Sequence, residues 1–306
     1  MMGDGSEYTR DLVGYGETPP RVRWPGGARL ALSFVLNYEE GAENCILHGD
    51  EGAETFLSEI VAARPVRGLR HASMESLYEY GARAGFWRIR RLFDARGLTL
   101  TVFGVGVAME RNPQAVEAML RSGWEIAAHG WRWIDYQYVP ETIERAHMQR
   151  AIKLHTRLTG SRPLGWYTGR SSPNTARLVA EDGGFVYDSD SYADDLPYYD
   201  ASWGRTQLVL PYTLDTNDMR FAAVQGFNTG AHFFTYVKDA IDSLYAEGAE
   251  VPKMLSIGLH CRIIGRPARA AALAQLLDYV SGFPDIWVAR RIDIARWWQS
   301  QFPPDS

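Results

Sequence analysis

Cysteine is scarce: the 306 residues include two, Cys45 and Cys261, and neither stands in a Cys-x-x-Cys pair. No disulfide framework follows from so few, and a reducing compartment fits. Blocks of Lys and Arg are also missing, and the formal net charge is -5. That argues against a nucleic-acid partner, which needs a basic patch, and leaves small neutral or cationic substrates open. No uninterrupted apolar run is long enough to span a bilayer, so no membrane partner is expected. The stretch Met1–Glu7 has neither a basic n-region nor an apolar h-region, which predicts a cytoplasmic protein. Internal repeats, low-complexity tracts and linkers are lacking too. One domain over residues 1–306 is therefore expected, with residues 1–25, rich in Gly, Pro, Tyr and Arg, as an N-terminal arm or lid. What remains is ordinary for a globular chain: 46% hydrophobic and 23% charged residues.

Apolar runs and helical patterns alternate along it. Arg29–Leu36, Leu98–Val107, Trp124–Ala128, Leu164–Tyr167, Phe185–Tyr187, Gln207–Tyr212, Lys253–Leu259 and Ile286–Ala289 read as strands. Helical spacing covers Ser76–Ala95, Asn112–Leu120, Glu141–Leu158, Thr175–Asp182, Ala231–Tyr245, Arg269–Val280 and Ile292–Gln299. Asn112-Pro113 is an N-cap followed by a first-turn proline, and Gly160 and Gly183 close two helices. Residues Asp188–Thr206 read as a long loop over one end. Repeated β-then-α units imply parallel strands with right-handed crossovers. The expected fold is α/β: a single-domain, distorted (β/α) barrel of about seven or eight parallel strands.

In such barrels chemistry sits at the C-terminal strand ends. Six ends here carry polar residues: Asn37-Tyr38-Glu39-Glu40, His129-Gly130-Trp131-Arg132-Trp133, Tyr167-Thr168-Gly169-Arg170, Asp188-Ser189-Asp190, Asp215-Thr216-Asn217-Asp218 and His260-Cys261-Arg262. Adjacent carboxylates are usually solvated. Directly after a buried strand, at least one of Glu39 and Glu40 should enter the barrel mouth. Glu39 is then a candidate general base, its pKa raised by its neighbour. His129, flanked by Gly130 and two tryptophans, suggests a narrow aromatic-walled pocket. His260 follows a nearly unbroken apolar strand and is the best general-acid candidate. Arg170 lies in a turn, where a solvated arginine is the default. Asp188 and Asn217 stand only somewhat above structural loop residues. His48 and His71 have no strand-end argument, and His147, His155 and His232 fall within helices.

The order of these residues resembles the polysaccharide deacetylase (NodB-homology) family over nearly the whole chain. The first family motif, Thr-Phe-Asp-Asp-Gly, corresponds to Asn37-Tyr38-Glu39-Glu40-Gly41, which puts the general base on Glu39 and a metal-ligand position on Glu40. The second, His-x-x-x-His, corresponds to His129-Gly130-Trp131-Arg132-Trp133. Its second histidine is replaced by Trp133, whose indole cannot bind metal. The third-motif arginine corresponds to Arg170, and the Leu-x-His acid to His260. Longer phrases (LSFVLNYEEG, MESLYEYG, HGWRWIDYQY, YTLDTNDMR and LSIGLHCRIIGRPAR) resemble the metal-independent allantoinase subgroup.

That resemblance implies opening of the hydantoin ring of allantoin to allantoate, with no cofactor, in a cytoplasmic homo-oligomer, a tetramer by resemblance. Glu39 would deprotonate a water, His260 would protonate the departing ring nitrogen, and Arg170 with nearby backbone N–H groups would hold the oxyanion. Glu40 and His129 would hold the substrate's polar groups, Trp131 and Trp133 would pack on its ring, and Asn217 would read the ureido tail. Asn37, Tyr167 and Asp188 complete the expected substrate-binding set. Two alternatives stand beside this one. A zinc-dependent N-deacetylase of amino sugars would draw a third ligand from His48, His71 or Asp135. A barrel without catalysis would only bind a ligand or partner.

Overall fold

The computed structural model describes residues 10–60 and 62–304; residues 1–9 of the expected arm lie outside them. The strands are β1 Leu30–Tyr38, β2 Thr101–Gly104, β3 Glu125–Ala128, β4 Gly165–Trp166, β5 Tyr187–Asp188, β6 Tyr198–Asp200, β7 Gln207–Val209, β8 Lys253–His260 and β9 Ile286–Val288. The helices are α1 Ala72–Tyr80, α2 Phe86–Asp94, α3 Gly106–Arg111, α4 Pro113–Arg121, α5 Glu141–Thr159, α6 Thr175–Asp182, α7 Gly230–Glu247, α8 Pro267–Ser281 and α9 Arg291–Gln301.

All nine strands join one curled sheet in the order β6-β7-β5-β4-β3-β2-β1-β8, with β9 paired to the lower half of β1. Every pairing is parallel except β6 with β7. Among the described residues the expected α/β fold is therefore present, with eight parallel strands where about seven or eight were expected, curled into a barrel-like sheet that strand pairing does not close. Side chains span the opening instead. Arg291, fully buried, donates to Ser256 Oγ of β8 at 2.5 Å, to Ser189 Oγ at 2.9 Å, and to the carbonyls of Leu210 and Pro211. Backbone carbonyls that would be orphaned at an unpaired edge are thus satisfied by one guanidinium.

Successive strand residues point to opposite faces, and the core divides accordingly. Leu30, Leu32, Phe34, Leu36 and Tyr38 of β1 pack outward against the helices. Ala31 and Val35 face inward with Phe103, Ala127, Tyr167, Tyr187 and Tyr212. All nine residues of β1 are buried, as a strand covered on both faces requires.

Local signals explain most element ends. Asn112 Oδ1 accepts from the Ala115 amide at 3.2 Å ahead of Pro113, and α5 and α6 stop at left-handed Gly160 and Gly183. Three expectations change. The helix read as Ser76–Ala95 begins at Ala72 and widens into a π-helical turn, Gly81–Gly85, between α1 and α2. The strand read as Leu98–Val107 is shorter, because Gly106 already starts α3. The loop Asp188–Thr206 contains β6. The described part of the arm is no lid: Trp24 is buried with Trp287 and Trp298, and its Nε1 donates to Lys253 O at 2.9 Å. It seals the end where the strands begin, opposite the polar strand ends.

Candidate active site

Register decides which residues meet. Tyr38 pairs with Gly104, Gly104 with Ala128, and Ala128 with Trp166. The next residue along three of these strands is Glu39, His129 or Tyr167, and alternation turns all three inward in one layer. On the other side of β1, Asn37 pairs with His260, the inward-facing end of β8. Glu39, His129, His260 and Tyr167 are each buried there.

Glu39 is the hub. Its Oε2 accepts from Nη1 of Arg262 at 2.7 Å, while its Oε1 lies 3.3 Å from His260 Nε2 and 3.5 Å from His129 Nε2. Burial alone would raise its pKa, but Arg262 and His260 outweigh it and hold the carboxylate well below the usual range. The sequence reading expected the opposite direction, from a neighbouring carboxylate. The cations that overturn it come from residues distant in sequence.

His260 is held from behind. Its Nδ1 donates to Asp218 Oδ1 at 2.6 Å, and its backbone N–H donates to Asp218 Oδ2 at 2.7 Å. Burial disfavours the imidazolium, but Glu39 and Asp218 raise the His260 pKa to about 9. At neutral pH the site therefore contains an ionised carboxylate facing a protonated imidazole, the pairing that general base and general acid catalysis requires.

Glu40 does not enter the site. It follows Glu39 by one residue and so points outward, towards the π-helical turn, where a Cβ on Gly81 would overlap its carboxyl group. It accepts from the Glu39 amide at 3.1 Å and the Arg262 amide at 3.2 Å, and burial raises its pKa. Its role is to anchor the turn that carries Arg262.

The remaining expected residues divide the same way. Trp133 is at the site: Arg262 lies over one part of its ring at 5.0 Å and Arg170 at 5.2 Å, and Phe56 stacks on it at 6.0 Å. Tyr167 packs on Phe103, His129 and Tyr212 and lines the inner wall. Asn37 donates to Tyr212 Oη at 3.1 Å, and its Oδ1 is buried without a partner. Asn217 donates to the same Tyr212 Oη at 3.2 Å and caps the short 3-10 turn Asp218–Ala222 through the Met219 amide. Its amide thus helps hold the Asp218 turn in place.

Trp131 turns away from the site, packing on Gly106 and under Arg150, whose guanidinium is 4.1 Å from its ring centroid. Asp188 belongs to the outward set of β5 and accepts from the Asp190 amide at 3.1 Å. Arg170 pairs with Glu54 at 3.4 Å and leans on Phe56 and Trp133. The arginine on Glu39 is Arg262.

Sequence reasoning passed over Arg262, Asp218 and the segment around Glu54–Leu57. A signal for the first two existed: both stand at polar strand ends, and two buried acidic groups beside a histidine need buried cations. The third had none. Glu54 organises it by accepting from Asn44, Thr55 and Phe56, and Leu57 O accepts from Arg262 Nε at 3.4 Å. This segment roofs the site.

A zinc ion does not fit these residues. Glu40 points to the opposite face of β1 from His129, Trp133 stands at the third position, and His129 Nε2 is directed at Glu39. His48 Nδ1 faces Glu43 O, His71 caps α1 through the Met74 amide, and Asp135 accepts from Gln137, all elsewhere. Among the described residues no group of three His, Cys, Asp or Glu side chains is placed to hold a metal.

Comparison with known proteins agrees with this architecture. The polysaccharide deacetylase family matches residues 70–187, a span that includes His129 and Arg170 but not Glu39 or His260. A Schizosaccharomyces pombe protein described as a polysaccharide deacetylase is 42% identical over 314 residues, covering 96% of this chain and 98% of its own. A Pseudomonas aeruginosa structure with the same description superposes with a TM-score of 0.96 at 62% identity, covering 97% of this chain and all of that one. The structure of a PuuE allantoinase superposes with a TM-score of 0.96 at 60% identity, over 98% of this chain and 100% of its own.

Proposed function

The chain belongs to the polysaccharide deacetylase family, whose members hydrolyse carbon–nitrogen bonds, and we propose that the bond this one cleaves is the ring amide of allantoin, giving allantoate. The observation that carries the reading is a complete base–acid pair, Glu39 and His260, in a site whose family metal positions are dispersed. The 60% identity with a PuuE allantoinase supports the choice of substrate.

Glu39 takes a proton from a water, whose oxygen attacks the ring carbonyl carbon. The tetrahedral intermediate collapses as the C–N bond breaks, and His260 delivers its Nε2 proton to the departing nitrogen. Glu39 now carries a proton and His260 has lost one. With Glu39 Oε1 3.3 Å from His260 Nε2, the proton passes directly between them and the site is reset. The new carboxylic acid releases its proton to solvent. Asp218 keeps the ring oriented throughout, as the third member of a nucleophile-activating triad does. Trp133 and Tyr167 supply flat apolar walls suited to a planar ring. The reading includes assembly of the chain with copies of itself, testable by light scattering.

The test is hydrolysis of allantoin by protein treated with chelator, following allantoate. Undiminished turnover is expected. Absence of allantoin turnover, with deacetylation of an N-acetyl amino sugar restored by zinc, would replace this reading with the metal-dependent one.

A further inference from the structure

We propose that the Arg262 guanidinium does in this site what a metal ion does in a metal-dependent hydrolase: through Nη1 it fixes the base, and through Nη2 it polarises the substrate carbonyl and holds the oxyanion. The inference rests on the proposed function for its substrate, but its argument comes from the geometry of Arg262.

Arg262 lies between the two acids of Glu39-Glu40. Its Nη1 is 2.7 Å from Glu39 Oε2 and 3.8 Å from Glu40 Oε1, and its backbone N–H donates to Glu40 Oε1 at 3.2 Å. The guanidinium plane is fixed by Tyr78 at 4.3 Å, by Trp133 at 5.0 Å and by the Nε bond to Leu57 O. Trp133, the residue in place of a ligand histidine, is thus part of the seat of a permanent cation. Nη2 is buried and has no hydrogen-bond partner. A buried charged donor left unsatisfied is costly, and such groups persist where a ligand completes them.

A hydrolytic metal ion supplies a positive charge, a fixed bearing on the nucleophile and polarisation of the carbonyl. Arg262 can supply all three. Its fork is rigid and planar, so one nitrogen on Glu39 sets the direction of the other. As attack converts the carbonyl to an alkoxide, an Nη2–H bond to that oxygen strengthens, which is the condition for lowering the barrier. No electron or proton leaves Arg262 in the cycle; protons move only through Glu39, His260 and the water.

The experiment compares wild type, Arg262→Lys and Arg262→Gly in two assays: allantoin opening, and binding of methylphosphonate, a tetrahedral anion that mimics the intermediate. Arg262→Lys keeps a charge for Glu39 but loses the rigid fork that places a second nitrogen on the carbonyl. It should lower kcat by about 10²–10³-fold, the usual loss on removing one oxyanion donor, with little change in KM. Arg262→Gly should lose turnover and methylphosphonate binding, and added guanidinium should restore both in a saturable way that sodium chloride does not match. The idea fails if Arg262→Lys keeps kcat within about threefold of wild type. It fails equally if wild type and Arg262→Gly bind methylphosphonate alike. Should Arg262→Gly not fold, as read by circular dichroism, Arg262→Lys decides alone in both assays. If wild type binds methylphosphonate through Arg262 yet leaves allantoin intact, the substrate assignment falls and the role of Arg262 stands.

Discussion

One carboxylate grips His260 twice: Asp218 Oδ1 accepts from the imidazole Nδ1 at 2.6 Å, and Oδ2 accepts from the backbone N–H of the same residue at 2.7 Å. The ring therefore cannot rotate without breaking a bond to a group that also fixes its main chain. Asp218→Asn should keep the backbone bond, since the amide oxygen can still accept, while removing the charge that favours the imidazolium. A fall in kcat of about 10²–10⁴-fold is expected, the range attributed to a working acid–base group. The alkaline limb of the rate profile should also move down from about 9. A pH–rate profile of the variant checks both; an unmoved alkaline limb would separate Asp218 from the titration of His260.

Wild type itself should show a broad pH plateau. His260 must carry its proton to act, so kcat/KM should fall as pH rises through about 9. Glu39 must be ionised, so the acid limb should lie well below the ordinary glutamate value of 4.5. Stability follows the same groups. The raised His260 pKa contributes stability fully below its ordinary 6.5 and loses it as pH climbs through about 9. The depressed Glu39 pKa contributes above 4.5 and is lost as pH falls through its lower folded value. Urea titrations at several pH values measure these slopes.

Glu39→Gln should abolish base function, at about 10²–10⁴-fold in kcat. It also leaves the buried Arg262 charge without its close partner, for which a loss of about 3 kcal/mol is expected. Chemical denaturation of the variant, set beside its kinetics, distinguishes an inactive folded enzyme from an unfolded one. Full turnover by folded Glu39→Gln would remove Glu39 from the chemistry.

Arg170→Ala should be the mild variant. Its guanidinium pairs with Glu54 and rests on Phe56 and Trp133, so its loss should loosen the roof segment and raise KM, with kcat within about tenfold. A kcat collapse as deep as that of Arg262→Gly would put Arg170 back among the groups that touch the reacting atoms.

Gly258→Ala tests the packing behind the acid. A Cβ there would overlap Asn217 Nδ2 and Tyr212 Oη, which have little freedom to move. A loss of stability of about 1–3 kcal/mol is expected from overpacking, together with reduced kcat as the Asp218 turn shifts. Thermal melts and kinetics of one preparation report both.

Much of this was legible in the sequence because it depends on short-range rules. Apolar runs and caps predicted the strands and helices, and the strand-end rule brought Glu39, His129 and His260 to one place. What was missed depends on orientation and on partners far along the chain. Residue types at the end of β1 do not say which of two adjacent glutamates faces inward; the register with β8 does. Nothing local marks Arg262 as the partner of Glu39, more than two hundred positions away (|i−j| = 223). Asp188 and Trp131 stand at suitable strand ends yet turn outward, because a strand end offers two faces and only one holds the chemistry. The Glu54–Leu57 roof has no periodicity to read.

The alternation along β1 makes the frame of that strand a functional parameter. Deleting one residue just after Leu30, with pairing to β8 retained, would move each acid back by one station and turn it to the other face. Glu40 would face the histidines, Glu39 would take the outward place of Tyr38, and the row of leucines would be driven into the barrel. The doubled glutamate is therefore no reserve copy. It is a pair of unlike instruments told apart only by counting from the start of the strand.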